Sequence, residues 1–130
     1  MNGRSVLVVD DDAELLEAVA RVLRGAGFEV RTARNGRAVK ELILGRAPDL
    51  VITDILMPDR DGVEVIEELR RTTRGIRVLA MSGRSDFGGL NLLDLAKSLG
   101  ADATLAKPFN GDDLLAKVNA LIPPARSQVR

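Results

Sequence analysis

Residues 50–54 read Leu-Val-Ile-Thr-Asp, an apolar run that stops at an acid. The run Val-Leu-Val-Val at residues 6–9 has the same form and stops at three aspartates, residues 10–12. A third run, Val-Leu-Ala-Met at residues 78–81, stops at Ser82. Short segments that are apolar throughout are typical of strands buried on both faces of a parallel sheet. Two weaker strand candidates are residues 28–32 and 103–106.

Longer amphipathic stretches separate these runs. Their apolar residues recur with helical spacing, and most of them end at glycine or proline, as helices do. They cover residues 15–23, 35–43, 63–69, 90–99 and 114–122. Five repeats of strand and helix predict an α/β protein with helices on both faces of a parallel sheet. We expect the flavodoxin-like (βα)5 doubly wound sheet, with strand order 2-1-3-4-5.

Length and composition bound the possibilities further. The chain has 130 residues, 19 basic and 19 acidic side chains, no histidine and no cysteine. Residues 1–124 are expected to form one domain and residues 125–130 a frayed tail. Zero net charge argues against direct nucleic-acid binding, and no apolar run approaches the roughly 20 residues of a membrane span. A cytoplasmic location is the default expectation. Any bound metal must be held by oxygen, which favours Mg²⁺ or Ca²⁺.

The polar residues at the strand ends suggest a chemistry. In a parallel sheet these ends meet at one edge, so the acids at 10–12 and Asp54 should lie near Ser82 and Lys107. Two carboxylates about 4 Å apart repel by roughly 4 kcal/mol at an effective dielectric of 20, which a divalent cation relieves. A lysine and a hydroxyl beside a metal-bound carboxylate suit phosphoryl transfer, which needs positioning and charge neutralisation above all.

Four segments together resemble the receiver domain of two-component response regulators. They are Val-Val-Asp-Asp-Asp, Asp-Ile-Leu-Met-Pro-Asp-Arg-Asp-Gly, Ser-Gly and Lys-Pro-Phe, at residues 8–12, 54–62, 82–83 and 107–109. Each segment is a weak signal alone, but the ordered set, each at a strand end, is specific. The resemblance covers residues 5–122.

The resemblance implies a site built around Asp54 as the phosphoacceptor. Ser82 and Lys107 would hold the phosphoryl oxygens, and the Lys107–Pro108 peptide bond would be cis. The implied Mg²⁺ ligands are Asp10 (mostly through water), Asp11, Asp54 and the backbone carbonyl of Leu56.

The resemblance also implies a signalling role. The chain would take a phosphoryl group from a sensor histidine kinase or a histidine phosphotransfer protein, and would hydrolyse it slowly. It would not otherwise be an enzyme. If the chain is complete, it would be a stand-alone receiver, a monomer or weak dimer. It would then act by phosphorylation-dependent binding to a partner or by onward transfer.

Two features depart from the usual receiver pattern. Thr104 stands three positions before Lys107, where many receivers carry an aromatic side chain. The glycine-rich segment 83–89 is a few residues longer than usual, and its glycines predict mobility. We hypothesise that this loop orders on phosphorylation and forms part of the partner surface.

Several polar residues are interpreted structurally. Asp12 is expected to cap the first helix, Asp59 and Asp61 to occupy a turn, and Phe109 to pack in the core. The arginines at 70, 71, 74 and 77 predict a solvated basic face.

Two other functions are compatible with parts of the sequence. A haloacid dehalogenase-type phosphatase would use Asp10 in the Asp-x-Asp pair formed with Asp12, but that interpretation leaves Asp54 unexplained. A degenerate receiver that serves only as an interaction surface would not need the full acid, hydroxyl and lysine set.

Overall fold

The computed structural model describes residues 4–55, 62–72, 75–83, 86–87 and 90–123. Its main sheet has five parallel strands, which are β1 (Ser5–Val9), β2 (Glu29–Ala33), β3 (Leu50–Asp54), β4 (Arg77–Ser82) and β7 (Ala103–Ala106). A two-stranded antiparallel hairpin, β5 (Asp86–Phe87) and β6 (Leu90–Asn91), follows β4. The order across the main sheet is β2-β1-β3-β4-β7. Since β7 is its fifth strand along the chain, the predicted flavodoxin-like order 2-1-3-4-5 is confirmed.

Five α-helices connect the strands. They are α1 (Ala13–Gly25), α2 (Val39–Gly45), α3 (Gly62–Thr72), α4 (Leu92–Leu99) and α5 (Gly111–Leu121). A single 3₁₀ turn, Gly36–Ala38, precedes α2 and is capped by the side chain of Asn35. The second helix is therefore shorter than the interval 35–43 suggested, because Asn35 caps a 3₁₀ turn instead of opening an α-helix.

Side chains that alternate along each strand build a separate core on each face of the sheet. Val6 and Val8 of β1 face the layer formed with α1 and α5. Leu7 and Val9 face the opposite layer, formed with α2, α3 and α4. All four are completely buried, which explains why β1 is apolar throughout and does not alternate with polar residues.

The start of α4 differs from the prediction. The apolar spacing placed its first turn at Leu90, but Leu90 pairs with Phe87 in the hairpin. The helix begins after Asn91, whose side chain accepts a hydrogen bond from the Asp94 backbone N–H. Helical spacing of leucines therefore overestimated the helix by two residues, because a hydrogen-bonding side chain at Asn91 sets its start. Only parts of the predicted mobile loop 83–89 lie within the described residues.

Arg70 corrects the expectation of a solvated basic face. Its guanidinium donates hydrogen bonds to the backbone carbonyls of Gly100 and Ile76, and to the carboxylate of Asp102, at 2.9, 3.0 and 2.6 Å. It therefore joins α3 to the end of α4 and to the beginnings of β4 and β7. Arg71 and Arg77 are exposed, as expected, and Arg74 lies outside the described residues.

Across the described ranges, no helix has both the length and the apolar composition needed to cross a membrane.

Candidate functional site

The site lies beyond the carboxyl ends of the central strands, where parallel topology gathers residues from distant parts of the sequence. Asp54 is the last residue of β3, and Ser82 is the last residue of β4. Asp10 directly follows β1, and Lys107 directly follows β7. The Lys107 backbone N–H donates to the Ser82 carbonyl at 2.8 Å, which holds these two ends side by side.

Three carboxylates converge at this edge. Asp10, Asp11 and Asp54 each present an oxygen, and these oxygens lie within 4.8 Å of one another. Asp10 is fully buried and Asp54 is 7% exposed, whereas Asp11 is exposed to solvent. The predicted convergence of acids from two separate loops is thus observed, and Leu56 lies outside the described residues.

In the described part of the chain, the basic side chain that contacts this cluster is Lys107. Its Nζ lies 2.8 Å from Asp10 Oδ2 and 3.7 Å from Asp54 Oδ2. The other oxygen of Asp10, Oδ1, accepts the Asp12 backbone N–H at 2.9 Å. Both oxygens of Asp10 are therefore engaged, while the ammonium group stands further from Asp54. The Lys107–Pro108 peptide bond is cis, as expected.

The protonation of Asp54 reflects its position in the cluster. Burial raises the pKa of Asp54 from 3.8 to about 6, and the negative charges of Asp10 and Asp11 act in the same direction. The positive charge of Lys107 opposes this rise. The ionised carboxylate is thus destabilised in its surroundings, which favours binding of a cation.

The donor set fits a hard divalent cation. All three acids offer carboxylate oxygen, the ligand type that Mg²⁺ prefers. Within the described residues, Lys107 is the one basic side chain that contacts these acids. Exposure of Asp11 leaves an open side to the cluster, so that coordination positions would remain for water or a phosphoryl oxygen.

Ser82, Thr104 and Phe109 lie within the described residues, whereas Asp59 and Asp61, predicted to occupy a turn, lie outside them. Ser82 is buried at the end of β4, and Gly83 next to it faces the side chain of Lys107. Thr104 lies in β7 opposite Ala80 and is half-buried. Phe109 is half-buried and packs against the core, as expected.

Asp12 caps α1 through its side chain, which accepts the backbone N–H groups of Glu14 and Leu15. The predicted capping role of this acid is confirmed. It is also exposed and lines an open groove that runs from Gly83 and Lys107 along Leu15.

Two features of the site were not anticipated from the sequence. One is that Lys107 lies closer to Asp10 than to Asp54, and the other is the groove beside Lys107. No local signal carries either, because each depends on which side chains the fold brings together across about 100 positions. The Lys-Pro-Phe segment predicted a phosphoryl-binding role for Lys107, a cis peptide bond before Pro108 and a core position for Phe109, but neither of these two features.

Fold and site together define a doubly wound α/β protein with an acid cluster and a lysine at the carboxyl edge of its parallel sheet. The sequence matches the response regulator receiver domain family over residues 6–119. The chain belongs to this family and is a receiver domain of two-component response regulators. The phosphatase alternative finds no support in this match, and both oxygens of Asp10 are already engaged.

Curated relatives are full-length regulators. The chain is 37% identical over 121 residues to "Response regulator MprA" of Mycolicibacterium vanbaalenii, covering 90% of this chain and 49% of the relative. It is 36% identical over 132 residues to "Transcriptional regulatory protein GltR" of Pseudomonas aeruginosa, covering 99% and 53%. The chain thus spans about half the length of these relatives.

Solved structures agree with the fold. The chemotaxis protein CheY4 of Vibrio cholerae superposes with a TM-score of 0.85 at 28% identity, covering 93% of this chain and all of that one. The response regulator TrrA of Thermotoga maritima, solved in complex with Mg²⁺ and BeF, superposes with a TM-score of 0.80 at 33% identity. That comparison covers 92% of this chain and 99% of TrrA.

Proposed function

We propose that Asp54 is the phosphoacceptor of this receiver and that Asp10, Asp11 and Asp54, with the Leu56 carbonyl, hold Mg²⁺. The observation that carries the proposal is the convergence of the three carboxylates, with Lys107 Nζ 3.7 Å from Asp54. A nucleophilic carboxylate, a cation site and a nearby ammonium group are the components that phosphoryl transfer to an acid requires.

In the proposed reaction an oxygen of Asp54 attacks phosphorus, and the bond from phosphorus to the donor atom breaks. Lys107 turns from Asp10 toward an oxygen of the transferred group, over a distance that its flexible stem spans. Ser82 donates a hydrogen bond to another of these oxygens. When bound, Mg²⁺ supplies charge neutralisation for the carboxylates and for the incoming phosphoryl group.

The donor class proposed is a sensor histidine kinase or a histidine phosphotransfer protein. Membership of the receiver domain family supports this donor class. The chain catalyses its own phosphorylation and slow dephosphorylation, and signals by phosphorylation-dependent binding or onward transfer. We further propose that residues 1–124 form a single domain, which is a monomer or a weak dimer. This domain works in the cytoplasm and does not contact nucleic acid directly.

Mapping the modified residue tests the proposal. The protein is incubated with acetyl phosphate and Mg²⁺, and the phosphorylated peptide is identified by mass spectrometry. We expect one phosphoryl group on Asp54, no stable label in Asp54→Asn, and loss of labelling when Mg²⁺ is chelated. Asp49→Asn is the matched control, since Asp49 lies at the opposite end of β3 and should leave labelling unchanged. Labelling of Asp10 in the wild-type protein would refute the proposal.

A further inference from the structure

Thr53 is a buried polar residue that the proposed reaction leaves unused. It directly precedes Asp54 in β3 and is completely buried. Its partners across the sheet are Val9 in β1 and Ala80 in β4, which are also completely buried. Valine would fit this two-sided apolar position, whereas a buried hydroxyl costs free energy unless it is hydrogen-bonded. Packing alone therefore does not account for the hydroxyl of Thr53.

This hydroxyl acts on the backbone of the proposed phosphoacceptor. Thr53 Oγ1 donates a hydrogen bond to the backbone carbonyl of Asp54, at 3.0 Å, in the protein interior. That carbonyl belongs to the same peptide group as the Ile55 backbone N–H, which donates to the Met81 carbonyl at 3.0 Å. Because a peptide group is planar, a contact that holds its oxygen also fixes the direction of its N–H. Thr53 and β4 thus hold this peptide at both ends.

The same peptide group acts on the side chain of Asp54. Burial raises the pKa of Asp54, and a hydrogen bond from the Ile55 backbone N–H to its carboxylate opposes that rise. A donor on a peptide oxygen polarises the peptide and strengthens the hydrogen bond that its N–H makes. A continuous path therefore runs from the Thr53 hydroxyl, through one peptide group, to the carboxylate of Asp54.

We propose that Thr53 is a positioning residue for phosphorylation, which holds the 54–55 peptide so that the Asp54 carboxylate faces the incoming phosphoryl group. The inference rests on the proposed phosphorylation of Asp54. Thr53 is enclosed between strands, so its effect on the reaction passes through the backbone. Because attack on phosphorus requires aligned atoms, a small displacement of the attacking oxygen slows the transfer.

Two substitutions separate positioning from packing. Thr53→Val keeps the shape of the side chain and removes the hydroxyl, whereas Thr53→Ser keeps the hydroxyl and removes the methyl group. Initial rates of Asp54 labelling are measured by mass spectrometry with acetyl phosphate and saturating Mg²⁺. We expect Thr53→Val to lower the rate about fivefold, the scale of one hydrogen bond, and Thr53→Ser to stay within about twofold of the wild type.

Thermal unfolding of the same proteins measures what packing contributes. Thr53→Ser leaves a methyl-sized cavity and should unfold at a lower temperature than the wild type. If Thr53 only filled space, this variant would also be the slower of the two in labelling. Ile52→Val is the matched control, because Ile52 is completely buried in the same strand and packs in the opposite layer. It should lower the unfolding temperature and leave the labelling rate at the wild-type value.

The Ile55 backbone N–H reports on the path directly and without phosphorylation. Loss of the Thr53 hydroxyl weakens the hydrogen bond from this N–H to the Asp54 carboxylate. Its proton resonance, measured by NMR, should therefore move upfield in Thr53→Val. The resonance should stay close to its wild-type position in Thr53→Ser and in Ile52→Val.

The outcomes separate the two proposals. Labelling of Thr53→Val at the wild-type rate, or rates that follow thermal stability across the three variants, would overturn the positioning role while Asp54 labelling stands. An unchanged Ile55 resonance in Thr53→Val would overturn it as well, since no effect would then pass through the peptide. Absence of label on Asp54 in the wild type would overturn the proposed function, and the positioning role with it.

Discussion

Asp54 is the residue at which burial and the positive charge of Lys107 act against each other. Its carboxyl lies in the sheet edge, and burial raises its pKa to about 6 against the pull of Lys107. At neutral pH the group is ionised but poorly solvated. Such a carboxylate gains more from a nearby cation than an exposed acid would. The electrostatic character of the site thus follows from where β3 ends.

This pKa predicts the pH dependence of stability without Mg²⁺. Because the folded-state pKa of Asp54 is raised above 3.8, its contribution to stability is full below pH 3.8 and is lost as pH rises through about 6. Between pH 4 and pH 8 the free energy of unfolding of the wild type should fall by about 2 kcal/mol relative to Asp54→Asn. Urea denaturation of both proteins across this range measures it. A pH-independent difference between them would contradict it.

Lys107 stabilises the buried charge of Asp10. The substitution Lys107→Met should lower the free energy of unfolding by about 3 kcal/mol at neutral pH, since Asp10 is left buried with an unpaired charge. The pKa of Asp54 should rise further, because the opposing cation is gone. Denaturation and carboxyl NMR titration measure the two effects.

The stability of Lys107→Met is also measured with added Mg²⁺. Added Mg²⁺ should restore part of the lost stability, because the proposed Mg²⁺ site brings the same acids together in the folded state only. Lys97→Met, at an exposed position of α4, should change stability by less than about 0.5 kcal/mol. A Lys107→Met protein as stable as Lys97→Met would show that the pair with Asp10 contributes nothing.

At the scale of elements, Arg70 joins α3 to the end of α4 and to the beginnings of β4 and β7. One guanidinium reaches Gly100, Ile76 and Asp102, and Asp102 also accepts the Val78 backbone N–H. Gly100 ends α4 in the left-handed conformation with φ of 119°, where a Cβ would lie 2.8 Å from the Arg70 side chain. The end of α4 is therefore fixed to α3 and the sheet through this contact.

The substitution Arg70→Met should lower the free energy of unfolding by about 3 kcal/mol, since three acceptors lose a charged donor. Arg70→Lys should recover less than half of this loss, because an ammonium group cannot reproduce the planar donor geometry. Arg71→Met, at the exposed neighbouring position, should cost less than about 0.5 kcal/mol. Chemical denaturation ranks the three variants, and equal costs for Arg70→Met and Arg71→Met would rule out the joining role.

At the scale of the whole molecule, stability comes from two aliphatic layers on either side of one sheet. Leu7 is fully buried in one layer, whereas Leu44 on α2 is 77% exposed. Leu7→Ala should lower the free energy of unfolding by about 3 kcal/mol, from lost burial and the remaining cavity. Leu44→Ala should change it by less than about 0.5 kcal/mol. Similar losses in the two variants would show that burial does not account for the difference.

Much of this architecture was predictable because its signals are local. Apolar runs such as 6–9 and 50–52 predict buried strands, and an acid at each strand end predicts a polar edge. Prediction failed where a long-range contact or a capping side chain decided the outcome. The start of α4 depends on Asn91, and the role of Arg70 depends on carbonyls up to 30 positions away.

The sequence alone determined the order of strands and helices, the two-sided core, and the set of acids with their lysine. Each follows from the hydrophobic period or from residue type, which are local properties of the chain. Only the tertiary structure decided that Lys107 pairs more closely with Asp10 than with Asp54, and that a groove opens beside it. Distances between side chains about 100 positions apart depend on how strands are ordered and layers packed, and no stretch of sequence encodes them locally.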